Sequence, residues 1–181
     1  MLTEPQKRAL VDLARRSVAS EVTHQPPEPA RVDVDLPAAS GVFVTIRRRG
    51  ELRGCLGTLQ CQRGLAEEVA RCAADAASED PRFPPVDDAE LPELDIEVSV
   101  LGPLEEIAPD PANVVVGRHG LVAEQGVRRG LLLPQVATEW GWTAEQFLRH
   151  TCVKAGLPGD AWKTGARIYR FEAEVVGEGY S

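Results

Sequence analysis

The chain has 181 residues, of which 43% are hydrophobic and 27% charged, and its formal net charge at pH 7 is −8. This composition is typical of a folded globular protein, and the acidic balance argues against nucleic-acid binding by phosphate neutralisation, since the one basic cluster is Arg47-Arg48-Arg49. No apolar run approaches the ~20 residues of a membrane span and no signal-peptide pattern opens the chain, so we expect a cytoplasmic protein without a membrane segment.

The first half of the chain predicts two helices and a hairpin. Thr3 to Gln6 has the arrangement of a capping box, and apolar residues then recur at helical spacing. Alternating side chains around a short turn indicate the hairpin, and Asp80-Pro81 ends the second helix because the residue before proline avoids helical geometry. The predicted order is a helix from 3 to about 22, an irregular connection over 24–36, strands over 41–48 and 52–56, and a helix over 65–78.

The second half predicts strands separated by turns and one capped helix. Thr143 to Gln146 repeats the capping box before an apolar face. The predicted elements are a strand over 94–100, a hairpin of 120–124 and 130–133 with its turn over 125–129, a helix ending near 156, and a strand over 168–176. This mixed order favours an α+β fold with antiparallel sheets and packed helices. We expect residues 1–181 to form a single domain, with no internal boundary marked by the sequence.

The most informative run is Leu52-Arg-Gly-Cys-Leu-Gly-Thr-Leu59. In an extended strand Arg53 and Cys55 share a face, and a guanidinium beside a thiol favours the thiolate. Gly54 and Gly57 let another backbone or a ligand approach closely. The alternative is that Cys55 is simply a small residue in a tightly packed strand.

The same run resembles the Arg-Gly-Cys-hydrophobic-Gly-Thr signature of the AMMECR domain family, called AmmeMemoRadiSam system protein A in microbes. Further matches follow in family order: Gly41-Val-Phe-Val-Thr45, Asp80-Pro-Arg-Phe-Pro-Pro85, Ser99-Val-Leu101, Gly117-Arg-His-Gly-Leu121, Leu133-Pro-Gln-Val-Ala137 and Lys154-Ala-Gly-Leu157. The resemblance covers nearly the whole chain. It implies a larger lobe that holds both termini, a smaller inserted lobe and a cleft between them, but no agreed activity.

Other residues join Cys55 as candidates for a site. His119, between Gly117 and Gly120 in a predicted turn, would be a base for the thiol or simply a solvated loop histidine. Arg82, held by neighbouring prolines, would clamp an anion, or else pair with Asp80 or cap the preceding helix. Gln135 could offer its amide to a ligand or satisfy backbone groups.

These candidates predict a cleft that either binds a small anionic molecule or binds and modifies it. Arg53 and Arg82 would hold the anion, Cys55 would be the nucleophile or redox thiol, and Thr58 with nearby backbone amides would stabilise negative charge. Gly54, Gly57 and Gln135 complete the predicted substrate-binding set. The competing interpretation is a non-enzymatic partner or scaffold for the MEMO-type and radical-enzyme proteins that the family resemblance implies. The oligomeric state is not predicted.

The remaining cysteines and tryptophans predict core positions, and we expect no metal or cofactor. Cys72 and Cys152 lie on apolar helix faces, whereas Cys61 lies in a loop from which it could resolve an oxidised Cys55. Zinc-type ligand spacings and an iron-sulfur cysteine triplet are both missing from the sequence, so this chain would be the radical enzyme's companion rather than that enzyme. Trp140, Trp142 and Trp162 are expected in the core or at its rim.

Overall fold

The computed structural model describes residues 2–26 and 29–178. The chain divides into two compact units, Met1–Leu101 with Glu174–Ser181, and Gly102–Ala173. The first unit therefore contains both ends of the described chain, and the second is inserted into it. This division provides the internal boundary that the sequence does not mark.

Two helices cover one face of the first unit's sheet. Helix α1 (Glu4–Val22) starts at the predicted capping box, in which Thr3 and Gln6 exchange hydrogen bonds between side chain and backbone. Helix α2 (Leu65–Ser78) ends two residues before Asp80, as predicted. The buried positions of both helices recur at helical spacing, and they form one hydrophobic core with the sheet.

In the first unit, β1 (Gly41–Arg48) lies between β2 (Glu51–Thr58) and β3 (Leu94–Leu101). Both pairings are antiparallel. The predicted hairpin of β1 and β2 is confirmed, and its turn places Arg49 and Gly50 at positive φ, which glycine adopts at no steric cost.

The second unit contains antiparallel strands and three short helices. Its strands are β4 (Glu105–Ile107), β5 (His119–Gln125), β6 (Arg128–Leu132) and β7 (Arg167–Gly177), and its helices are α3 (Pro134–Trp140), α4 (Ala144–Lys154) and α5 (Ala161–Thr164). β5 pairs with both β6 and β7, and β4 pairs with β7, all antiparallel. β7 runs on into the first unit beyond Ala173.

The fold class is α+β with antiparallel pairing, as the sequence predicted. The hairpin turn predicted over residues 125–129 is shorter, because Gln125 pairs directly with Arg128. Trp140 corrects a second expectation, since its side chain is 71% exposed instead of lying in the core or at its rim. Trp162, by contrast, is buried as predicted.

Candidate functional site

The signature run forms strand β2, and a β-bulge decides which way its cysteine faces. Near the turn Arg47 pairs with Leu52, but one step further Ile46 pairs with Gly54, so Arg53 is an extra residue on β2. The bulge shifts the register by one, which places Cys55 opposite Thr45. Without it, Cys55 would lie opposite Val44, whose side chain is fully buried.

The corrected register lines up three side chains across the sheet. Thr45 of β1 lies between Cys55 of β2 and Glu97 of β3. The neighbouring β1 residues, Val44 and Ile46, belong to the core with the helices. Because side chains alternate along a strand, the row Cys55–Thr45–Glu97 lies on the sheet face opposite the helices.

Cys55 is fixed at two points. Its Sγ lies 3.3 Å from the Thr45 hydroxyl oxygen, within hydrogen-bond distance for sulfur, and either atom can be the donor. Its backbone N–H donates to Asp80 Oδ2 at 3.0 Å. The thiol is half-buried, so both its position and its access to reagents are defined by these neighbours.

Asp80 connects Cys55 to Arg82. Its carboxylate also accepts hydrogen bonds from the backbone N–H of Arg82 at 3.0 Å and from its guanidinium, at 3.1 Å from Nε and 2.8 Å from Nη2. These contacts, led by the Arg82 side chain, lower the pKa of Asp80 from 3.8 to about 2 although burial opposes the charge. The same hydrogen bond raises the pKa of Arg82, and the nearby Cys55 adds to the increase.

The two members of this ion pair differ in exposure. The Asp80 side chain is 3% exposed, whereas that of Arg82 is 49% exposed. The pair with Asp80 was one of the alternatives predicted for Arg82. Because the guanidinium remains half-exposed, the pairing is compatible with the other alternative, an anion clamp.

Arg53 is engaged by the protein itself. Its guanidinium donates to Glu90 from Nε at 2.8 Å and from Nη2 at 3.2 Å, and to the backbone carbonyls of Pro84 at 2.8 Å and Pro85 at 3.2 Å. The side chain is 13% exposed. These contacts attach the bulge of β2 to the proline-rich turn, so they favour a structural role, and the predicted contact of Arg53 with an anion stays a prediction.

The two glycines of the signature face other parts of the backbone. A Cβ on Gly54 would collide with the carbonyl oxygen of Ala76 in helix α2, and one on Gly57 would collide with the Val42 carbonyl and the Phe43 ring. Close approach by another backbone is therefore the role that the structure supports for both. Thr58 follows, and its hydroxyl exchanges hydrogen bonds with the backbone of Gln60.

His119 lies in the second unit, and the prediction of a turn position for it was wrong. It is the first residue of β5 and is 6% exposed, because Gly117 takes the turn at positive φ and His119 already pairs with Glu172. Its Nδ1 accepts a hydrogen bond from the Val115 N–H at 3.0 Å, so the ring proton is on Nε2. Burial, assisted by nearby arginines, lowers its pKa.

Gln135 also belongs to the second unit, where it is the second residue of α3. Its Oε1 is buried, and no donor for it occurs among the described residues. The structure thus brings Cys55, Arg82 and Arg53 into one unit, and it assigns His119 and Gln135 to the other. A site shared between the two groups stays a prediction.

The other cysteines occupy the predicted environments. All four cysteines carry thiols. Cys72 and Cys152 belong to the two hydrophobic cores, and burial raises the pKa of Cys72 to about 12 and that of Cys152 above its ordinary value. Burial also raises the pKa of the half-buried Cys61.

Sequence reasoning missed Thr45 and Glu90 as partners of the signature. Arg53 and Glu90 are 37 positions apart, and the Thr45 contact, within the β1–β2 hairpin, depends on the bulge. A hairpin register counted from the Arg49-Gly50 turn would have assigned Thr45 to Gly54. An extra residue within β2 leaves no mark in the alternation of a run that contains two glycines.

The described residues contain neither a membrane-spanning helix nor a metal-binding group of side chains. In the described part of the chain, no helix combines the length and the apolar character that crossing a bilayer requires. Among residues 2–26 and 29–178, no three His, Cys, Asp or Glu side chains form a group that could hold a metal ion.

Comparison with known proteins identifies the family. A protein of Methanothermobacter thermautotrophicus is 44% identical over 187 residues, covering 98% of this chain and 96% of its own length. Protein TK0174 of Thermococcus kodakarensis is 47% identical over 185 residues, covering 94% of this chain and 89% of its own length. The crystal structure of uncharacterized protein PH0010 from Pyrococcus horikoshii is similar with a TM-score of 0.87 at 44% identity, covering 94% of this chain and 90% of that one. The family model described as AMMECR1 matches residues 11–176, and the chain therefore belongs to the AMMECR1 family.

Proposed function

We propose that Cys55 and Arg82 form a site for a small anionic molecule, in which the guanidinium attracts the anion and the thiol contacts or modifies it. The observation that carries this proposal is the shared anchor, because Asp80 binds both the Cys55 backbone and the Arg82 side chain. A shared anchor holds thiol and cation in a constant relation, which reduces the entropy lost on binding.

The exposure of the ion pair supports an anion in particular. The Asp80 carboxylate is buried, whereas the Arg82 guanidinium is half-exposed. An incoming molecule therefore meets the positive member of the ion pair first. Arg82 retains donor capacity, because a guanidinium has five N–H groups and Asp80 uses those on Nε and Nη2. A planar fork of donors suits a carboxylate or phosphate.

The chemistry available to such a site is nucleophilic attack by sulfur. The Cys55 thiol releases its proton to water, and the thiolate forms a bond to an electrophilic atom of the anion while the leaving group departs with the electron pair. Without a leaving group the same site is a binding site only. The roles of His119 as a base and of Gln135 as a ligand contact stay predictions.

Two alkylating reagents that differ in charge test the proposal. Iodoacetate and iodoacetamide form the same S–C bond and release iodide, but only iodoacetate is an anion. Their rate constants at Cys55 are measured by mass spectrometry of the native protein, with Cys61 as the internal reference. We expect Arg82→Gln to lower the iodoacetate-to-iodoacetamide ratio at Cys55 by about threefold, since an exposed charge contact is worth up to ~1 kcal/mol.

A double variant removes the main ambiguity. Arg82→Gln alone leaves the Asp80 carboxylate unpaired, and that charge would itself repel iodoacetate. Asp80→Asn with Arg82→Gln removes both charges, so a ratio that stays low identifies the lost cation as the cause. Arg8→Gln, at an exposed arginine of α1, is the matched control. A ratio that is unchanged in the double variant, or that falls equally in the control, contradicts the proposal.

A protein-docking role is the second candidate, and an exposed aromatic group in the second unit favours it. Trp140 is 71% exposed and stacks on Trp142, which stacks on His150 with ring centroids 4.0 Å apart. Exposed tryptophan is enriched at protein interfaces. Titration calorimetry with a purified MEMO-type or radical-enzyme protein tests this candidate, and Trp140→Ser should abolish any binding that depends on the stack.

Two finer assignments accompany the proposal. We place the chain in the microbial branch called AmmeMemoRadiSam system protein A, on the signature Arg53 to Thr58. We also assign it to the cytoplasm, where glutathione and thioredoxin keep thiols such as these reduced.

A further inference from the structure

The Cys55–Thr45–Glu97 row contains a hydroxyl whose presence the packing does not explain. Thr45 is 4% exposed in the middle strand of the sheet, with a neighbouring strand on each side. A valine has the same branched shape and suits a strand equally well. Burying a hydroxyl instead costs free energy unless a hydrogen bond compensates.

The hydrogen bond of the buried Thr45 hydroxyl contributes little to the stability of the folded protein. Among the described residues, its hydroxyl has Cys55 Sγ as its hydrogen-bond partner, at 3.3 Å. A neutral thiol is a weak donor and a weak acceptor, so this contact adds little to the folded state. The contact becomes strong when the sulfur is ionised, because a hydrogen bond to a charged acceptor is about twice as strong as a neutral one.

Several charged groups surround the row, and they largely pair with one another. Glu97 of β3 lies opposite Thr45, and its carboxylate is 3.5 Å from Arg47 Nε of β1. On the turn after α2, Asp80 pairs with Arg82 beside Cys55. Glu97 and Asp80 thus each have a guanidinium partner, and the Thr45 hydroxyl is a neutral group within hydrogen-bond distance of Sγ.

We propose that Thr45 is the positioning residue of the Cys55 thiolate. Its hydroxyl accepts the S–H hydrogen bond in the neutral form, then rotates to donate O–H to the sulfur when the thiol proton leaves to water. The rotation stabilises the anion and fixes the direction of its lone pairs. This inference rests on the proposed function, for which it identifies what makes the thiol reactive.

Substitutions at Thr45 test the role through the pH profile of Cys55. The rate constant for iodoacetamide at Cys55 is measured from pH 6 to pH 10 in the full chain, and the midpoint of the profile gives the pKa of the reacting thiol. Thr45→Val keeps the shape and removes the donor. We expect it to raise the midpoint by about one pH unit, a roughly tenfold loss of thiolate at neutral pH, which is the lower end for a hydrogen bond to a charged group.

Thr45→Ser provides the rescue, because it keeps the hydroxyl and removes a methyl group. We expect its midpoint to match that of the natural protein, with the Cys61 profile the same in all variants. Thermal unfolding identifies any variant that fails to fold, and Thr45→Ala then replaces Thr45→Val as the variant without a donor. An unchanged midpoint without the hydroxyl, or an equal shift in Thr45→Ser, overturns the proposal.

The two proposals can fail separately. Iodoacetamide is neutral, so its pH profile does not depend on whether Arg82 attracts anions. Suppose that Thr45→Val shifts the midpoint while the Asp80→Asn, Arg82→Gln double variant leaves the iodoacetate-to-iodoacetamide ratio unchanged. That result would support the role of Thr45 and contradict the anion site. The reverse result would retain the anion site and assign the thiol's reactivity to another group.

Discussion

Replacing Asp80 with asparagine should destabilise the first unit by an amount that depends on pH. The carboxylate is 3% exposed, and hydrogen bonds from Arg82 and from the Cys55 backbone lower its pKa from 3.8 to about 2. At about 1.4 kcal/mol for each pH unit, this difference corresponds to about 2 kcal/mol of stability at neutral pH. Asp80→Asn removes the charge but keeps an oxygen that can accept from the Cys55 N–H.

The sign of the pH dependence follows from the lowered pKa. The unfolded chain takes up a proton at Asp80 near pH 4, whereas the folded chain resists protonation until about pH 2. The stabilisation is therefore complete above about pH 5 and is lost as the pH falls through 2. The free energy of unfolding of the natural protein should exceed that of Asp80→Asn by about 2 kcal/mol at pH 7. At pH 3 the difference should be about 1 kcal/mol, because Asp80 of the unfolded chain is then largely protonated.

Urea denaturation at pH 7, 5, 4 and 3 measures the difference directly, because urea, unlike guanidinium, does not screen the ion pair. Asp33→Asn removes the same charge from an exposed position and should change the free energy of unfolding by less than about 0.5 kcal/mol throughout. A difference for Asp80→Asn that is equally large at pH 7 and pH 3 would refute the electrostatic reasoning and assign the effect to packing.

Three further outcomes are expected. Gly54→Ala should destabilise the protein by about 3 kcal/mol or more in urea denaturation, because its Cβ would collide with backbone, whereas Gly64→Ala, whose Cβ meets nothing within 4 Å, should change stability by less than about 1 kcal/mol. In an NMR titration, His119 should remain neutral to a lower pH than an ordinary histidine, and stability should fall as the pH drops below ~6.5, since the unfolded chain then binds the extra proton. Native alkylation should label Cys72 and Cys152 last, because both thiols are buried and have raised pKa values; early labelling of either would show that its core opens readily.

The sequence predicts most of the helices and strands because their signals are local. The capping boxes at Thr3 and Thr143 lie where α1 and α4 begin. The alternation after Leu94 corresponds to β3, whose one face is buried against the helices. In each case the residues that determine the element lie within about four positions of one another, so the pattern can be read without knowing the rest of the chain.

The candidate site is less predictable because its geometry depends on pairing across the chain. The extra residue at Arg53 reverses the face of everything that follows in β2, and nothing in the run itself requires a bulge. His119 was misassigned for a related reason. Its flanking glycines predict a turn, but pairing with Glu172, 53 positions further on, extends β5 as far as this residue.

The two arginines of the predicted anion site illustrate why residue type alone could not assign their roles. Arg82 and its partner Asp80 are two positions apart, so the sequence could propose their ion pair as an alternative. Arg53 and its partner Glu90 are 37 positions apart, and that pair became visible only with the folded turn between them. Guanidinium donors that are saturated by the protein hold structure, whereas a half-exposed guanidinium keeps donors for a ligand. The proposed anion site therefore rests on Arg82, outside the signature, and its proposed reactive group is Cys55 within the signature.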